Sequence, residues 1–261
     1  VNRLERRVDA IDPRLSVRLR LIKRRMQHDH MPAIIRRYVR RADTVVDIGA
    51  NRGVYTWLMS RRVGANGCVH CIEPYPGNIQ SLGALAKSRP NITVHPVGLS
   101  DAAGEAILQV PLYQDQRLAA LATFRPTVDV DCYQVSVPTA RLDELIDTTE
   151  RRVSFIKCDV EGHEDAVIAG AWGIINRDRP VLVMEIEQRY RTTPVTDLIE
   201  RLVSVGYSAY FLDSHGSHSV DQFDVNRHQL GYLDSKFVPY SAPHGYVADF
   251  MFIPDGQSAE G

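Results

Sequence analysis

The stretch Val45-Val46-Asp47-Ile48-Gly49-Ala50-Asn51-Arg52-Gly53 runs from an apolar segment into an acid and two glycines, the pattern of a strand that turns into a helix around a cofactor. A dinucleotide site would carry G-x-G-x-x-G, whose second glycine lets the backbone approach the pyrophosphate. Asn51 stands in that place, and the carboxylate of Asp47, two residues before the turn, would repel a phosphate. A cationic ligand suits these residues better. S-adenosylmethionine carries an ammonium and a sulfonium for Asp47 and the loop to neutralise, and a carboxylate for the N–H groups at a helix start. A plainer reading has Asp47 and Asn51 capping a helix that begins near Val54. Twenty-six residues beyond Asp47, one βαβ step, the run CVHCIEP ends in Glu73 and Pro74. An acid at the carboxyl end of the second strand is where doubly wound folds hydrogen-bond the ribose of an adenosine cofactor. Cys68, His70 and Cys71 form a single C-x-x-C without a second pair, and they read as alternating strand residues rather than zinc ligands.

The elements that must position these residues follow a βα rhythm. Strands are expected near Thr44–Ile48, Val69–Glu73, Ile92–Gly98, Val153–Asp159, Val181–Glu187, Ser208–Asp213 and Ala248–Ile253. Helices are expected near Val54–Arg62, Gly77–Lys87, Glu164–Ile175 and Val195–Val205. Residues 104–140 hold an inserted hairpin, Glu105–Pro111 with Tyr133–Pro138. Residues 214–245 form a long connection suited to a lid. The 261 residues, 44% of them hydrophobic, supply a sizeable core, and the net charge of −1 conceals a division. Residues 1–41 hold 13 of the 31 basic residues and four acids, a charge of +9, which leaves −10 on the other 220 residues. With a helix start at Asp12-Pro13 and Leu15, Leu19, Ile22 and Met26 at helical spacing, this basic arm can meet an anionic membrane or nucleic acid, or pack on the acidic body. The body, 42–261, forms the second unit. No apolar run approaches the ~20 residues that span a bilayer, and the segment VNRLERRVDAIDPRL lacks a secretion signal's apolar block. Four cysteines are too few for a disulfide scaffold, and together these features point to the cytoplasm.

A third motif, Ile156-Lys157-Cys158-Asp159-Val160-Glu161-Gly162-His163-Glu164, completes a set of blocks: VVDIGANRGVYT, CIEP and IKCDVEGHEDAVIAGA, with VGLSDAAGE and VPTARLDEL between the second and third. Through them the chain resembles the FkbM family of S-adenosylmethionine-dependent methyltransferases over about residues 43–190. The resemblance implies an α/β fold, the class I methyltransferase (Rossmann-like) fold. Its sheet has seven mostly parallel strands in the order 3-2-1-4-5-7-6, with helices on both faces. It also implies methylation of a hydroxyl on a sugar in a glycolipid, a polysaccharide or a glycosylated natural product. Carried over by position, Asp47, Gly49, Asn51 and Gly53 line the methionine side of the cofactor and Glu73 takes the ribose hydroxyls. Ser100 and Asp101 lie beside the adenine, and Asp159 lies near the transferred methyl.

Methyl transfer to oxygen is an in-line displacement that needs an oriented hydroxyl and an acceptor for its proton. A positioned base typically adds about 10²–10⁴-fold. His163 is the leading base because an imidazole's ordinary pKa of ~6.5 suits proton acceptance near neutrality. Against this, His163, Glu164 and Asp165 would also simply fill a first helical turn. Glu161 and Glu185 are alternative bases, with Glu185 and Glu187 on one face of the fifth strand. Asp159, Glu161 and Glu185 could instead hold Mg²⁺ that orients the acceptor oxygens, although nothing in their spacing fixes a ligand set. His215, His218, His228 and His244 in the long connection read as polar loop residues or as a zinc or acceptor site. The expected partner is a carbohydrate-containing acceptor. Nucleic acid is disfavoured, while peripheral membrane contact through the arm and homo-oligomerisation stay open. Two other readings remain: a nicotinamide-dependent oxidoreductase, from the βαβ unit alone, and a non-catalytic module docking on membrane or RNA.

Overall fold

The computed structural model describes residues 29–113, 116–125, 131–149, 151–233 and 245–257. Its central sheet begins with β1 (Thr44–Ile48), β2 (Cys68–Ile72) and β3 (Ile92–His95), and continues with β8 (Val153–Cys158) and β9 (Val181–Glu185). All of these pair in parallel, in the order β3-β2-β1-β8-β9. β12 (Asp249–Pro254) then enters antiparallel between β9 and β10 (Tyr207–Asp213). Numbered along the central sheet, this is the order 3-2-1-4-5-7-6 that the resemblance implies. The count is corrected: β11 (Gly216–Ser219) adds an eighth strand, antiparallel to the outer edge of β10. Its four residues, GSHS, are small and polar, so an edge strand with no apolar alternation left no hydrophobic signal.

The central strands are buried on both faces, and this is why they read as nearly continuous apolar runs. On one face Val46, Ile48, Ile156, Leu182, Met184, Phe250 and Phe252 pack against helices over Glu164–Asp178 and against the helix Val195–Val203. The opposite face carries Val45, Val69, Phe155, Val183, Met251 and Ile253. They meet α1 (Met31–Tyr38), α2 (Val54–Val63) and α3 (Pro76–Ser88). Met31, Ile34 and Ile35 of α1 belong to this second core, so the last part of the basic arm packs on the body. The helix start at Asp12-Pro13 and the stripe Leu15, Leu19, Ile22 and Met26 lie outside the described residues. Among the described residues no helix is long and apolar enough to cross a membrane.

Three expectations need adjustment. The helix expected over Glu164–Ile175 breaks at Ala171, where α5 (Glu164–Gly170) stops and α6 (Trp172–Asp178) starts, α4 being the short Leu142–Leu145. The cause lies thirty residues upstream: Asp143 accepts hydrogen bonds from the N–H groups of Gly173 and Ile174, both at 2.9 Å, and so caps the second helix from outside it. The inserted hairpin is β5 (Gly104–Tyr113) paired with β7 (Cys132–Ala140). It belongs to a separate four-stranded sheet with β4 (Gly98–Leu99) and β6 (Gln116–Arg117). The described part of the 214–245 connection is tied down rather than free. Beyond α7 (Val195–Val203) and α8 (Val225–His228), the buried Gln229 amide donates to Ile186 O and Val247 O, each at 2.8 Å, and accepts from Gln188 N. His218 Nε2 lies 3.0 Å from the Asp213 carboxylate and His228 stacks on Phe223, so these two are engaged within the fold. His215 sits at the turn, its backbone N–H donating to Asp213 at 2.7 Å and its ring 3.7 Å from that carboxylate; His244 lies outside the described residues.

Because β12 feeds both cores, Phe252→Ala should lower unfolding free energy by about 3–5 kcal/mol, read as a lower urea midpoint with an unchanged slope.

Candidate active site

The site is built at the carboxyl ends of β1, β2, β8 and β9. Asp47 on β1 and Lys157 on β8 are cross-strand partners in register, and both are buried. The Lys157 ammonium donates to Ile48 O at 3.3 Å, to Gly49 O at 3.0 Å and to the Asp159 carboxylate at 3.2 Å. It also stands 3.7 Å from Asp47 Oδ1. Burial alone would favour neutral lysine, but the carboxylates of Asp159 and Asp47 reverse this and hold it protonated. Burial raises the Asp47 pKa, while Lys157 and the Thr56 hydroxyl, bonded at 2.5 Å, oppose that shift. Asp47 therefore does not line the cleft. The expectation of direct contact with the methionine end is corrected, since its carboxylate points onto the α2 side of the sheet and positions the loop through Lys157. A lysine inside an apolar strand was the signal that sequence reasoning passed over.

The loop itself requires its glycines. Gly49 has φ +69°, and a Cβ there would lie 1.8 Å from Asp159 O. Gly53 has φ +78°, and a Cβ would press within 3 Å of Leu82 and Leu85. Asn51 takes the left-handed conformation at φ +51°, which asparagine tolerates. Its N–H donates to Glu73 Oε2 at 2.7 Å, while Tyr75 N–H donates to Oε1 at 2.8 Å. The N-cap position of α2 is Gly53, which has no side chain to offer, and the Asp47 carboxylate takes hydrogen bonds from the Thr56 N–H and hydroxyl in the first turn, as the capping reading expects. The N–H groups of Val54 and Tyr55, ahead of Thr56, begin the ten-residue helix beside the loop. Glu73 is buried, which pushes its pKa up to about 7 against the pull of its two backbone donors.

These groups open on a cleft that, with the solvent at its mouth, spans about 560 Å³. Gly49, Asn51 and Glu73 form one wall and Asp159 and Glu161 another. The inserted sheet contributes an apolar side from Leu108, Ala119, Ala122 and Phe124. Ser100 and Asp101 are absent from these walls; the preceding Gly98 and Leu99 line it instead. His163 is also turned away. Its Nε2 lies 3.0 Å from Ser100 Oγ, its ring meets Phe124 edge-on, and burial with nearby Arg125 lowers its pKa. The expectation that His163 is the base is therefore not met by this geometry, which makes the imidazole a brace behind Phe124.

The acids do converge. Asp159, Glu161 and Glu185 each place a carboxylate oxygen within 4.8 Å of the others. Burial, then the charge of Asp159, pushes the Glu161 pKa to about 8. Glu185 is raised well above the carboxylate range, first by Asp159 and then by burial. Glu161 is held at φ +51° by the segment that crosses it: Thr123 Oγ1 donates to Glu161 O at 2.7 Å, and Arg125 Nε donates to Gly162 O at 2.5 Å. Gly162 N–H donates to the buried Glu164, which Arg191 approaches at 3.8 Å. The fifth strand ends at Glu185; Glu187 beyond it is bound by Arg189 at 2.7 Å and by the Tyr246 hydroxyl.

A mostly parallel sheet with one inserted antiparallel strand, and a glycine loop facing an acid at the end of the next strand, define a class I methyltransferase. The model of the FkbM methyltransferase domain matches residues 47–209, and the chain belongs to that family, whose methyl donor is S-adenosylmethionine. An FkbM methyltransferase from Methylobacillus flagellatus superposes with a TM-score of 0.50 at 19% identity, over 80% of this chain and 43% of that one. The chain therefore spans under half the length of that protein. Fibrillarin from Aeropyrum pernix with natively bound S-adenosylmethionine is similar at 14% identity, over 82% of this chain and 67% of that one, with a TM-score of 0.44. An S-adenosylmethionine-dependent O-methyltransferase from Thermotoga maritima is similar at 12% identity, over 87% and 66%, with a TM-score of 0.43. No curated protein matches the sequence.

Two predictions follow from the buried charges. Lys157→Met leaves Asp47 without its counter-ion and should cost about 3–5 kcal/mol. Adding Asp47→Asn should recover part of this, seen as a favourable coupling in a double-mutant cycle of urea unfolding. Glu73 and Glu164, both raised to about 7 by burial, bind protons more readily folded than unfolded. Their stabilising contribution is complete below the unfolded value of 4.5 and is lost as pH rises through about 7. The urea midpoint should fall across that window, and less steeply in Glu164→Gln.

Proposed function

We propose that the chain transfers a methyl group from S-adenosylmethionine to a hydroxyl of a carbohydrate-containing acceptor, a sugar in a glycolipid, a polysaccharide or a glycosylated natural product. The observation that carries this reading is the meeting of Asp159, Glu161 and Glu185 beside the cofactor loop. Carboxyl groups packed this closely offer hydrogen-bond donors and acceptors to a neutral, hydroxyl-rich partner and no counter-charge to a phosphate-rich one such as nucleic acid. Tyr190, hydrogen-bonded to Glu161, and Tyr246, bonded to Glu187, add aromatic faces and hydroxyls nearby.

The residues present fit the donor. The start of α2 suits its carboxylate, Glu73 retains lone pairs for ribose hydroxyls, and the apolar wall of Leu99, Leu108 and Phe124 suits a purine. When bound, the donor supplies an electrophilic methyl. The chain supplies orientation of the acceptor hydroxyl and a carboxylate of the acidic trio to take its proton, the task that sequence reasoning gave first to His163. Membership of a methyltransferase family removes the nicotinamide reading. The same proposal places the protein in the cytoplasm with its basic arm toward the inner membrane face, where glycolipid acceptors lie. It is supported by the charge of +9 on residues 1–41 and by the lack of a disulfide among the four cysteines.

Glu73→Ala should raise the Kd for S-adenosylmethionine by about 10–100-fold, the loss of charge-assisted hydrogen bonds worth about 1.5–3 kcal/mol. Incubation with labelled donor and extracted glycolipids and polysaccharides should label a sugar hydroxyl, located by mass spectrometry. Label appearing only in nucleic acid or protein would overturn the acceptor class.

A further inference from the structure

Behind Glu73, which lines the cleft, stands a side chain that does not. Asn78, in the first turn of α3, is 1% exposed, and neither its Nδ2 nor its Oδ1 has a hydrogen-bond partner among the described residues. Burying an amide unbonded is costly, and an apolar side chain of similar size would avoid the cost. Its surroundings point it one way. Burial pushes the Glu73 pKa up, and the Asn78 amide, facing that carboxylate, pulls it back. The turn that joins the two residues is fixed on both sides. Tyr75 N–H donates to Glu73 Oε1 at 2.8 Å and Asn78 N–H donates to Tyr75 O at 2.9 Å, while the Tyr75 ring packs with Leu108, Val110 and Val137 of the inserted sheet. Gly77 permits that packing, because a Cβ there would lie 2.4 Å from the Tyr75 ring.

We infer that Asn78 is a positioning residue for the methyl donor: its side-chain N–H groups hold the Glu73 carboxylate from behind while a ribose hydroxyl occupies the front. The lone pairs allow it. A carboxylate offers about four acceptor sites, and Asn51 N–H and Tyr75 N–H take one on each oxygen. Asn78 Nδ2 takes a third from the helix start, and the fourth faces the cleft that Glu73 lines. A ribose hydroxyl donating to Glu73 favours its charged form, and a charged acceptor draws the amide into a stronger bond than a neutral one would. A bond made with the donor in place adds to donor affinity without adding to the stability of the fold. The inference rests on the reading that Glu73 takes the ribose.

Adenosine and 2′,3′-dideoxyadenosine, which differ only in ribose hydroxyls, are the probes, their Kd values read from displacement of labelled S-adenosylmethionine on the full chain. Wild type should prefer adenosine by about 10–100-fold. Asn78→Leu should narrow that preference by about five- to tenfold, with its Tm unchanged or raised, since it removes an unbonded amide from the interior. Asn78→Asp keeps the shape but exchanges the donor for a second acid, and should narrow the preference at least as far. A wild-type preference retained in both variants, or a Tm loss with both nucleosides weakened alike, would overturn the inference while leaving Glu73 as the ribose acid. Equal binding of the two nucleosides by wild type would instead sink the ribose reading of Glu73, and the inference with it.

Discussion

The carboxyl edge of the sheet depends on one ammonium group that water does not reach. Lys157 arises within an apolar strand, yet its nitrogen reaches the last carbonyl of β1, the next carbonyl at Gly49, and two acids, one on β1 and one just past β8. Placing that charge inside is expensive, and only a dense set of acceptors at hydrogen-bond distance makes it tolerable. Geometry follows from this requirement. The carbonyls of Ile48 and Gly49 must face β8, which directs the glycine loop outward. Asp159 must turn back toward β1, so that Gly49 lies against its carbonyl with no room for a side chain. The cofactor loop and the start of the acidic motif are thus two sides of a single electrostatic arrangement.

The second organising element is the inserted sheet. Its segment between β6 and β7 reaches over the β8 loop through Thr123 and Arg125 and also forms the apolar side of the cleft. One insertion therefore sets the shape of the cofactor pocket and fixes the backbone at Glu161. Variation in that segment would change both together, which couples donor binding to acceptor placement through ordinary contacts.

The strands and helices around the core were legible because each carries its own periodicity: β1 matches its expected span, and most other boundaries shift by a residue or two. The glycine loop and Glu73 were legible for a related reason, since the turn demands residue types that the chain displays locally. What escaped depends on partners distant in sequence. Nothing near Ala171 announces a helix break, because the cap comes from Asp143. Asp47 looked like a ligand contact, since its counter-ion lies 110 residues away on a strand whose register no local pattern discloses. His163 has the right chemistry in the right motif, and only the positions of Ser100 and Phe124 show that it faces elsewhere.

The strand order also constrains how the chain is made. β10 has β12 as its neighbour toward the sheet, so the β10–β11 hairpin has no place to dock until residues 249–254 have left the ribosome, more than thirty residues later. At about 5–20 residues per second, the far side of the sheet stays open for some seconds during synthesis. β9 meanwhile offers an unpaired, wholly apolar edge, VLVM, to the surroundings. A nascent chain in that interval is a natural client for holding chaperones.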